Sequence, residues 1–359
     1  MTPANSIRGS QGSSNPEYVN ARVRSRRAAL YDDEDYRKLV RMGPSGIARF
    51  MEESEYETEI NELGVRHSGV NLIEYALNRN LAKHFEDLLR WSDGRLHDLV
   101  ARYLRKYDAW NVKTIVRGVY TEAAPEEIRA DLILAGELDE PLLDALLEAD
   151  TIEQVVDGLD GTLFGAPLRA AYEEYEAEGV LVPLENAIDR EFYAHLLDDV
   201  RTEGVDDGPM ALYVEFLLAE IDFLNARNAL RLSRSGADVD PAEYFIEGGR
   251  LFTRSELRRL VENTDQLVDL IRQSTYGDEL AGALGDLEAA DSLIEFEHAL
   301  DAALLEYADR LANVYPVSVT AVLSYVLAKE REVENIRAIA RGREVGLDED
   351  QIRRELVMT

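Results

Sequence analysis

The sequence predicts a mainly α-helical chain made of three consecutive helical units of about 110 residues. Two observations carry this. Apolar residues recur at three- and four-residue intervals in stretches rich in Ala, Leu, Glu and Arg, as at 141–149, 212–233 and 294–312, and no alternating β-branched run is long enough for a sheet. In addition, three signatures, one apolar and two centred on polar residues, recur in the same order at nearly constant spacing.

Taken from the N-terminus, residues 1–16 have no apolar signal core and read as a flexible tail. An N-terminal helix is expected near 17–29, then units at 30–137, 138–250 and 251–359. Each unit opens with a weak apolar trace: Leu39, Ile47 and Tyr56; Leu147, Val155 and Phe164; Leu260, Val268 and Tyr276. A second signature follows, Ile73-Glu74-Tyr75-Ala76-Leu77-Asn78, Leu184-Glu185-Asn186-Ala187-Ile188-Asp189 and Phe296-Glu297-His298-Ala299-Leu300-Asp301. The clearest lies 37 to 40 residues further on and centres on Asn111, Asn225 and Asn335. Each asparagine has an acid three residues before it (Asp108, Asp222, Glu332) and bases two and six after it: Lys113 and Arg117, Arg227 and Arg231, Arg337 and Arg341. Two units close on Glu127-Ile128-Arg129 and Gln351-Ile352-Arg353, whereas the middle one diverges with Pro241 and Tyr244. Gly, Pro, Asp and Ser collect at 42–46, 204–209 and 235–238, which read as loops.

On a helical wheel the asparagine segment turns Val112, Ile115, Val116 and Val119 to the core. The bases then fall on the opposite side, with the acid nearer the apolar stripe. Glu74, Glu185 and Glu297 share a face with apolar neighbours, and a buried carboxylate needs a partner. The expectation is that each glutamate is partnered inside its own unit, by the asparagine amide or the base that follows it. The competing expectation lines the six bases along a surface that meets another protein.

The charge narrows the function. With 71 acidic against 39 basic residues the formal charge is −32, only five of the bases are lysine, and 46% of the chain is apolar. That is a core-competent chain suited to concentrated salt, where screening is short and a dense carboxylate surface keeps molecules apart. Such a surface disfavours nucleic acid and anionic headgroups. The absence of cysteine excludes disulfides, thiolate metal sites and a cysteine nucleophile. No apolar run reaches the eighteen residues of a spanning helix, which reads as a soluble chain or one held at a membrane by another protein.

Enzyme signatures fail. There is no Gly-Lys-Ser/Thr loop, no Gly-x-Gly-x-x-Gly and no Gly-x-Ser-x-Gly elbow. Glu191 and His195 stand one helical turn apart, but a di-metal bundle needs Glu-x-x-His on two helices, so a solvated pair is expected. The acidic run 32–35 lacks the glycine and terminal glutamate of a calcium loop and reads as a helix start. The basic cluster Arg22, Arg24, Arg26 and Arg27 is expected to pair with acidic neighbours. No catalytic, cofactor or metal residue is assigned.

The C-terminal stretch 316–339, with Lys329-Glu330-Arg331-Glu332-Val333-Glu334-Asn335-Ile336-Arg337, followed by Gly342 and Gly346, resembles the C subunit of the archaeal A-type ATP synthases, the counterpart of the d subunit in vacuolar-type ATPases. Tyr18-Val19-Asn20-Ala21-Arg22-Val23-Arg24 and 110–118 fit the same family, and the likeness runs from Tyr18 through nearly the whole chain. The middle unit departs most, with Ala229 for isoleucine and Leu232 where Gly118 and Gly342 stand. The resemblance implies three bundles around a pseudo-threefold axis forming a funnel-shaped socket, and a halophilic archaeal source. It implies a non-catalytic central-stalk (rotor) component of a proton-translocating ATP synthase, peripheral on the cytoplasmic face of the cell membrane. Its partners would be the proteolipid rotor ring and the central shaft proteins. In that arrangement equivalent residues form rings: Lys113, Arg227 and Arg337 in one, Arg117, Arg231 and Arg341 in another, as a candidate cationic surface for an acidic shaft. The alternative is a helical-repeat scaffold that binds a protein partner in an open concave surface.

Overall fold

The computed structural model describes residues 14–202, 208–235, 240–278, 280–282, 284–285 and 293–357. Among them the regular structure is helical, with no strand. The N-terminal helix is Pro16–Arg27, which ends two residues short of the expected boundary and buries Val19 and Val23. The chain is held from just before it. Asn15 Nδ2 donates to Trp91 O (2.8 Å), and its Oδ1 accepts from Asp93 N (2.9 Å). Residues 1–13 of the expected tail lie outside the described residues.

Each repeat starts on a short helix whose first amides are capped by a side chain: Asp33–Leu39 by Asp32, Glu140–Leu147 by Asp139, and Arg254–Val261 by Thr253. Asp32 and Thr253 form reciprocal capping boxes with Asp35 and Glu256, so the acidic run 32–35 is a helix start as expected. Second short helices follow at Pro44–Glu52, Ile152–Gly158 and Thr264–Gln273. The 42–46 stretch is therefore only half loop. Pro44 opens a helix in its first turn, where its missing N–H would have no partner anyway. Leu39, Ile47, Tyr56, Leu147, Val155, Phe164, Leu260, Val268 and Tyr276, the apolar trace of the sequence, are all buried.

Two long helices complete each repeat. The glutamate helices are Gly69–Trp91, Val182–Thr202 and Leu293–Val314. The asparagine helices are Lys106–Tyr120, Pro209–Ser235 and Val319–Glu344; in the first repeat a separate helix, Gly94–Leu104, precedes it in line. The 204–209 and 235–238 loops fall largely outside the described residues, and Pro209 starts a helix.

The repeated asparagines are buried, and each clamps the extended segment that descends after its helix. Asn111 Nδ2 donates to Ile133 O and Oδ1 accepts from Ile133 N, both at 2.8 Å. Asn225 grips Ile246 in the same way (2.8 and 2.9 Å), and Asn335 grips Val357 (2.9 and 3.0 Å). A carboxamide is the one uncharged side chain that can offer a donor and an acceptor side by side, which fixes the residue type. The glycines seven residues later follow from the same fold-back. A Cβ on Gly118 would lie 2.4 Å from Ile128, and one on Gly342 2.9 Å from Ile352, so the terminal isoleucines pack on a bare backbone. The middle repeat has no such isoleucine. It returns through a 3₁₀ turn at Pro241–Tyr244, where Asn228 Nδ2 holds Tyr244 O (3.1 Å), and Leu232 carries a side chain where its counterparts are glycine.

Asn225→Ala strands a buried N–H and a buried C=O on Ile246, and is expected to destabilise the chain by about 2–4 kcal/mol. Asn228→Ala, which removes one half-buried bond, is expected to cost about 1 kcal/mol. Guanidinium chloride unfolding at constant chloride measures both, and equal losses would contradict the two-bond clamp.

Candidate functional site

The acids three residues before the asparagines each grip backbone at the start of a following repeat, and Glu332 also pairs with Lys329 of its own helix (2.7 Å). Asp108 accepts from the backbone N–H of Glu137 (2.8 Å) and Leu138 (2.9 Å), immediately before the cap that starts the second repeat. Asp222 accepts from Arg250 N (2.7 Å) and Leu251 N (2.8 Å), just before the third. Glu332 accepts from Tyr31 N (2.6 Å), just before the first. The aromatic of the receiving repeat reinforces two of the three grips. Tyr276 OH donates to Asp222 and Tyr56 OH to Glu332, each at 2.8 Å, whereas Phe164 has no hydroxyl to offer Asp108. Reach explains two glycines: a Cβ on Gly136 or Gly249 would fall within 2.0–2.2 Å of the short aspartate. The longer Glu332 reaches its amide with Leu30 in the preceding position.

The six bases follow the same directional rule. Lys113 Nζ meets Asp189 (2.6 Å) and Arg117 Nε meets Glu185 (2.5 Å), from the first repeat to the second. Arg227 pairs with Asp301 and Arg231 with Glu297 (2.5 Å), from the second to the third. Arg337 Nε and Arg341 Nε both meet Glu74 (2.7 and 2.5 Å), from the third back to the first. The expectation that Glu74, Glu185 and Glu297 are partnered inside their own unit is therefore corrected. The bases lie across the helix from its apolar stripe and cannot reach through their own core, so they reach the neighbouring glutamate helix. Nor do Asn111, Asn225 and Asn335 touch the glutamates; both ends of each amide are used on backbone.

Exposure sorts the bases into two tiers. The side chains of Lys113, Arg227 and Arg337 are 19, 25 and 20% exposed, and those of Arg117, Arg231 and Arg341 are 53, 55 and 57%. The closing seam differs in one respect. Asn78 stands where Asp189 and Asp301 stand elsewhere, so Arg337 donates to its amide oxygen (2.6 Å) and one carboxylate serves two guanidiniums.

Five residues before each asparagine stand Lys106, Glu220 and Glu330, which no repeated signature includes because the three differ. The structure brings them to one cluster. Lys106 Nζ lies 2.7 Å from Glu330 and 3.3 Å from Tyr103 OH, and that hydroxyl donates to Glu220 (3.1 Å). Burial raises the pKa of Glu220, and the Lys106 charge draws it back down. The shared offset of five residues was the available signal. Further along the same helix, Glu334 is half-exposed, yet desolvation by surrounding protein raises its pKa.

The N-terminal arginines bind the first and third repeats. Arg26 pairs with Glu55 (2.5 Å) and Asp87 (2.9 Å), and Arg27 with Asp309 (2.6 Å), as expected. Arg22 instead lies over the rings of Tyr18 and Trp91, and Arg24 donates to Pro316 O (3.0 Å). His84, buried between Arg26 and Tyr325, has its pKa pushed down to about 2, first by burial, and stays neutral. Glu191 and His195 share the Val182–Thr202 helix, and among the described residues no group of three or more His, Asp or Glu is placed to hold a metal ion. A cavity of about 550 Å³ between the first repeat and the first helix of the second, beside Tyr75, Asn78 and Leu143, has its bases already paired: Lys83 with Glu59, Arg79 with Glu62 and Arg129 with Glu140.

Residues 19–355 match the family described as ATP synthase (C/AC39) subunit. The chain belongs to this family. It is 67% identical to the A-type ATP synthase C subunit of Haloferax volcanii, over 97% of this chain and 99% of that one. It is 65% identical to the A-type ATP synthase C subunit of Halorubrum lacusprofundi over the same shares, and 34% identical to that of Methanosarcina mazei over 97% and 94%. Members of this family are accessory rather than catalytic. The strong identity with relatives from halophilic archaea accords with the charge of −32.

Glu74→Ala leaves two guanidiniums without their carboxylate and is expected to destabilise the chain by about 2–4 kcal/mol. Glu185→Ala, with Asp189 still holding Lys113 and Arg117 half in solvent, should cost about 1 kcal/mol or less. The reverse order in chemical unfolding would contradict the seam geometry. A second prediction concerns Asp108, whose pKa burial raises from 3.8 to about 6 against the two amide hydrogen bonds. Between those values the folded chain holds the extra proton, so this group makes stability fall as pH rises from about 4 to about 6. Asp108→Asn is expected to flatten that part of the stability profile by roughly 1–3 kcal/mol relative to wild type. Parallel profiles would refute the assignment.

Proposed function

We propose that this chain is the C subunit of an A-type ATP synthase, a rotor component peripheral to the membrane on its cytoplasmic face. It stands between the proteolipid ring and the central shaft and carries torque from one to the other. The observation that carries this reading is closure. Ties run from the first repeat to the second, from the second to the third, and from the third to the first, in the same sense each time. A closed circuit resists twisting as a unit, whereas a row of repeats open at one side yields at its free edges. The meeting of Lys106, Glu220 and Glu330 supports a pseudo-threefold axis through the asparagine helices.

Exposed apolar side chains support two docking ends. Tyr18, Val314, Tyr315 and Val317 lie beside the start of the third asparagine helix, and Tyr120 and Val345 lie at the far ends of the first and third. Tyr120 OH holds Gly179 O (3.0 Å), which brings exposed Val180 to the same end. No helix among the described residues is long and apolar enough to cross a membrane. The open-scaffold reading requires Glu74 and Arg341 to stand at opposite ends of an array, and their 2.5 Å contact counts against it. The six bases in this reading are first the fastenings of the socket wall. Any cationic contact with a shaft falls to the half-exposed tier of Arg117, Arg231 and Arg341.

Membrane vesicles depleted of the chain are expected to retain ATP hydrolysis by the head but lose ATP-driven ion uptake, and adding back wild-type chain should restore uptake. Undiminished uptake in vesicles shown to lack the chain would refute the coupling role.

A further inference from the structure

The chain does not cross the three seams alike. Asp108 grips amides 29 and 30 residues further along, and Asp222 grips amides 28 and 29 residues along, so continuous backbone spans the first two seams. Glu332 grips the amide of Tyr31, 301 residues away, and no short stretch of backbone joins the third repeat to the first. The entropic cost of closing a loop rises with its length, which leaves this seam in need of ties that the others do without.

The N-terminal helix, Pro16–Arg27, stands outside the threefold pattern and lies on both repeats at this seam. On the first repeat, Arg26 meets Glu55 (2.5 Å) and Asp87 (2.9 Å), and Asn15 holds Trp91 O (2.8 Å). On the third, Asn20 Nδ2 donates to Ser318 O (3.3 Å), Arg24 to Pro316 O (3.0 Å) and Arg27 to Asp309 (2.6 Å), with Val19 and Val23 buried beneath. The helix carries four arginines against one acid, Glu17, in a chain of charge −32, and so lays positive charge where two acidic repeats meet. Arg26 also reaches a contact between the repeats. A guanidinium only donates, so His84 Nε2 accepts from it (3.2 Å), and the neutral ring turns its Nδ1 proton to Tyr325 OH of the third repeat. Arg26 thereby orients a tie across the seam that it does not itself make. We infer that the N-terminal helix is a strap that holds the third repeat on the first, and that this seam alone opens when the strap is released, the repeats staying folded. Its subject is the closed form of the chain itself, so it stands apart from the rotary reading.

The seam follows two antiparallel helices, Gly69–Trp91 and Val319–Glu344, since Glu74 meets Arg341 and His84 meets Tyr325. The strap sits at the Trp91 and Ser318 end, about 35 Å along the helix from Arg341, so its release can be read where it makes no contact. Spin labels are placed on the cysteine-free full chain at Val65→Cys and Val345→Cys, exposed residues near that far end. A second pair, at Glu126→Cys and Val180→Cys, reports on the first and second repeats. Arg26→Glu with Arg27→Glu sets like charges against Glu55, Asp87 and Asp309. In high salt, pulsed electron-spin distances are expected to show the spread of the 65–345 distance at least doubled, with the 126–180 distance and helix content at wild-type values. If the reversed chain does not fold, Arg27→Asp decides: alone it is expected to broaden 65–345, and with Asp309→Arg to restore the wild-type spread. An unchanged 65–345 distance in a folded reversed chain would overturn the strap. So would equal broadening of both pairs, or broadening by Arg27→Asp that the charge swap does not reverse.

Discussion

A carboxylate three residues before each repeated asparagine is buried, and its burial is made tolerable by hydrogen-bond donors at the start of the next repeat, joined at Glu332 by the buried Lys329 of the same helix. Much else follows from that dependence. The donors are backbone amides placed just ahead of a capped helix, so the grip sets where the next repeat begins and in which direction it leaves. The asparagine one turn later turns the chain back, and the bases beyond it reach the glutamate helix of the repeat whose start has just been fixed. One helix thus carries, within about three turns from acid to second base, the instructions for attaching a neighbour.

The departures from symmetry have local reasons. Glycine precedes the gripped amides where the acid is aspartate and leucine where it is glutamate, because one methylene of reach decides how close the backbones must come. Asp108 lacks the tyrosine hydroxyl that its two counterparts receive, and of the three it is the grip made by amides alone. Asn78 replaces an aspartate at the seam that joins the last repeat to the first, where Glu74 pairs with two arginines and Asp131 lies close enough to feel both. Lys106 meets Glu330 directly and Glu220 through the Tyr103 hydroxyl, where three identical acids would repel.

The helices, the triplication and the burial of Tyr56, Phe164 and Tyr276 were legible in the sequence because periodicity and spacing encode them directly. The partner of each repeated polar group was not. A glutamate 37 residues before an asparagine has the same spacing whether the two meet inside one repeat or each meets a neighbour. What separates those cases is how the repeats pack on one another, and spacing along the chain is silent on it. The central cluster was hidden for another reason: Lys106, Glu220 and Glu330 recur in position but not in chemistry. Leu232 could be seen as a departure, but its reason depends on Ile128 and Ile352 folding back onto Gly118 and Gly342.

Closure is the claim on which the functional reading stands, and the absence of cysteine makes it directly measurable. Cysteine pairs can be introduced one seam at a time, as Lys113→Cys with Asp189→Cys, Arg227→Cys with Asp301→Cys, and Asn78→Cys with Arg337→Cys. Each is treated with a short bismaleimide in high salt, native and denatured. The account predicts comparable native cross-linking within the chain at all three seams, abolished by denaturation. Cross-linking at the first two seams but not between 78 and 337 would mean an open array, and would contradict it.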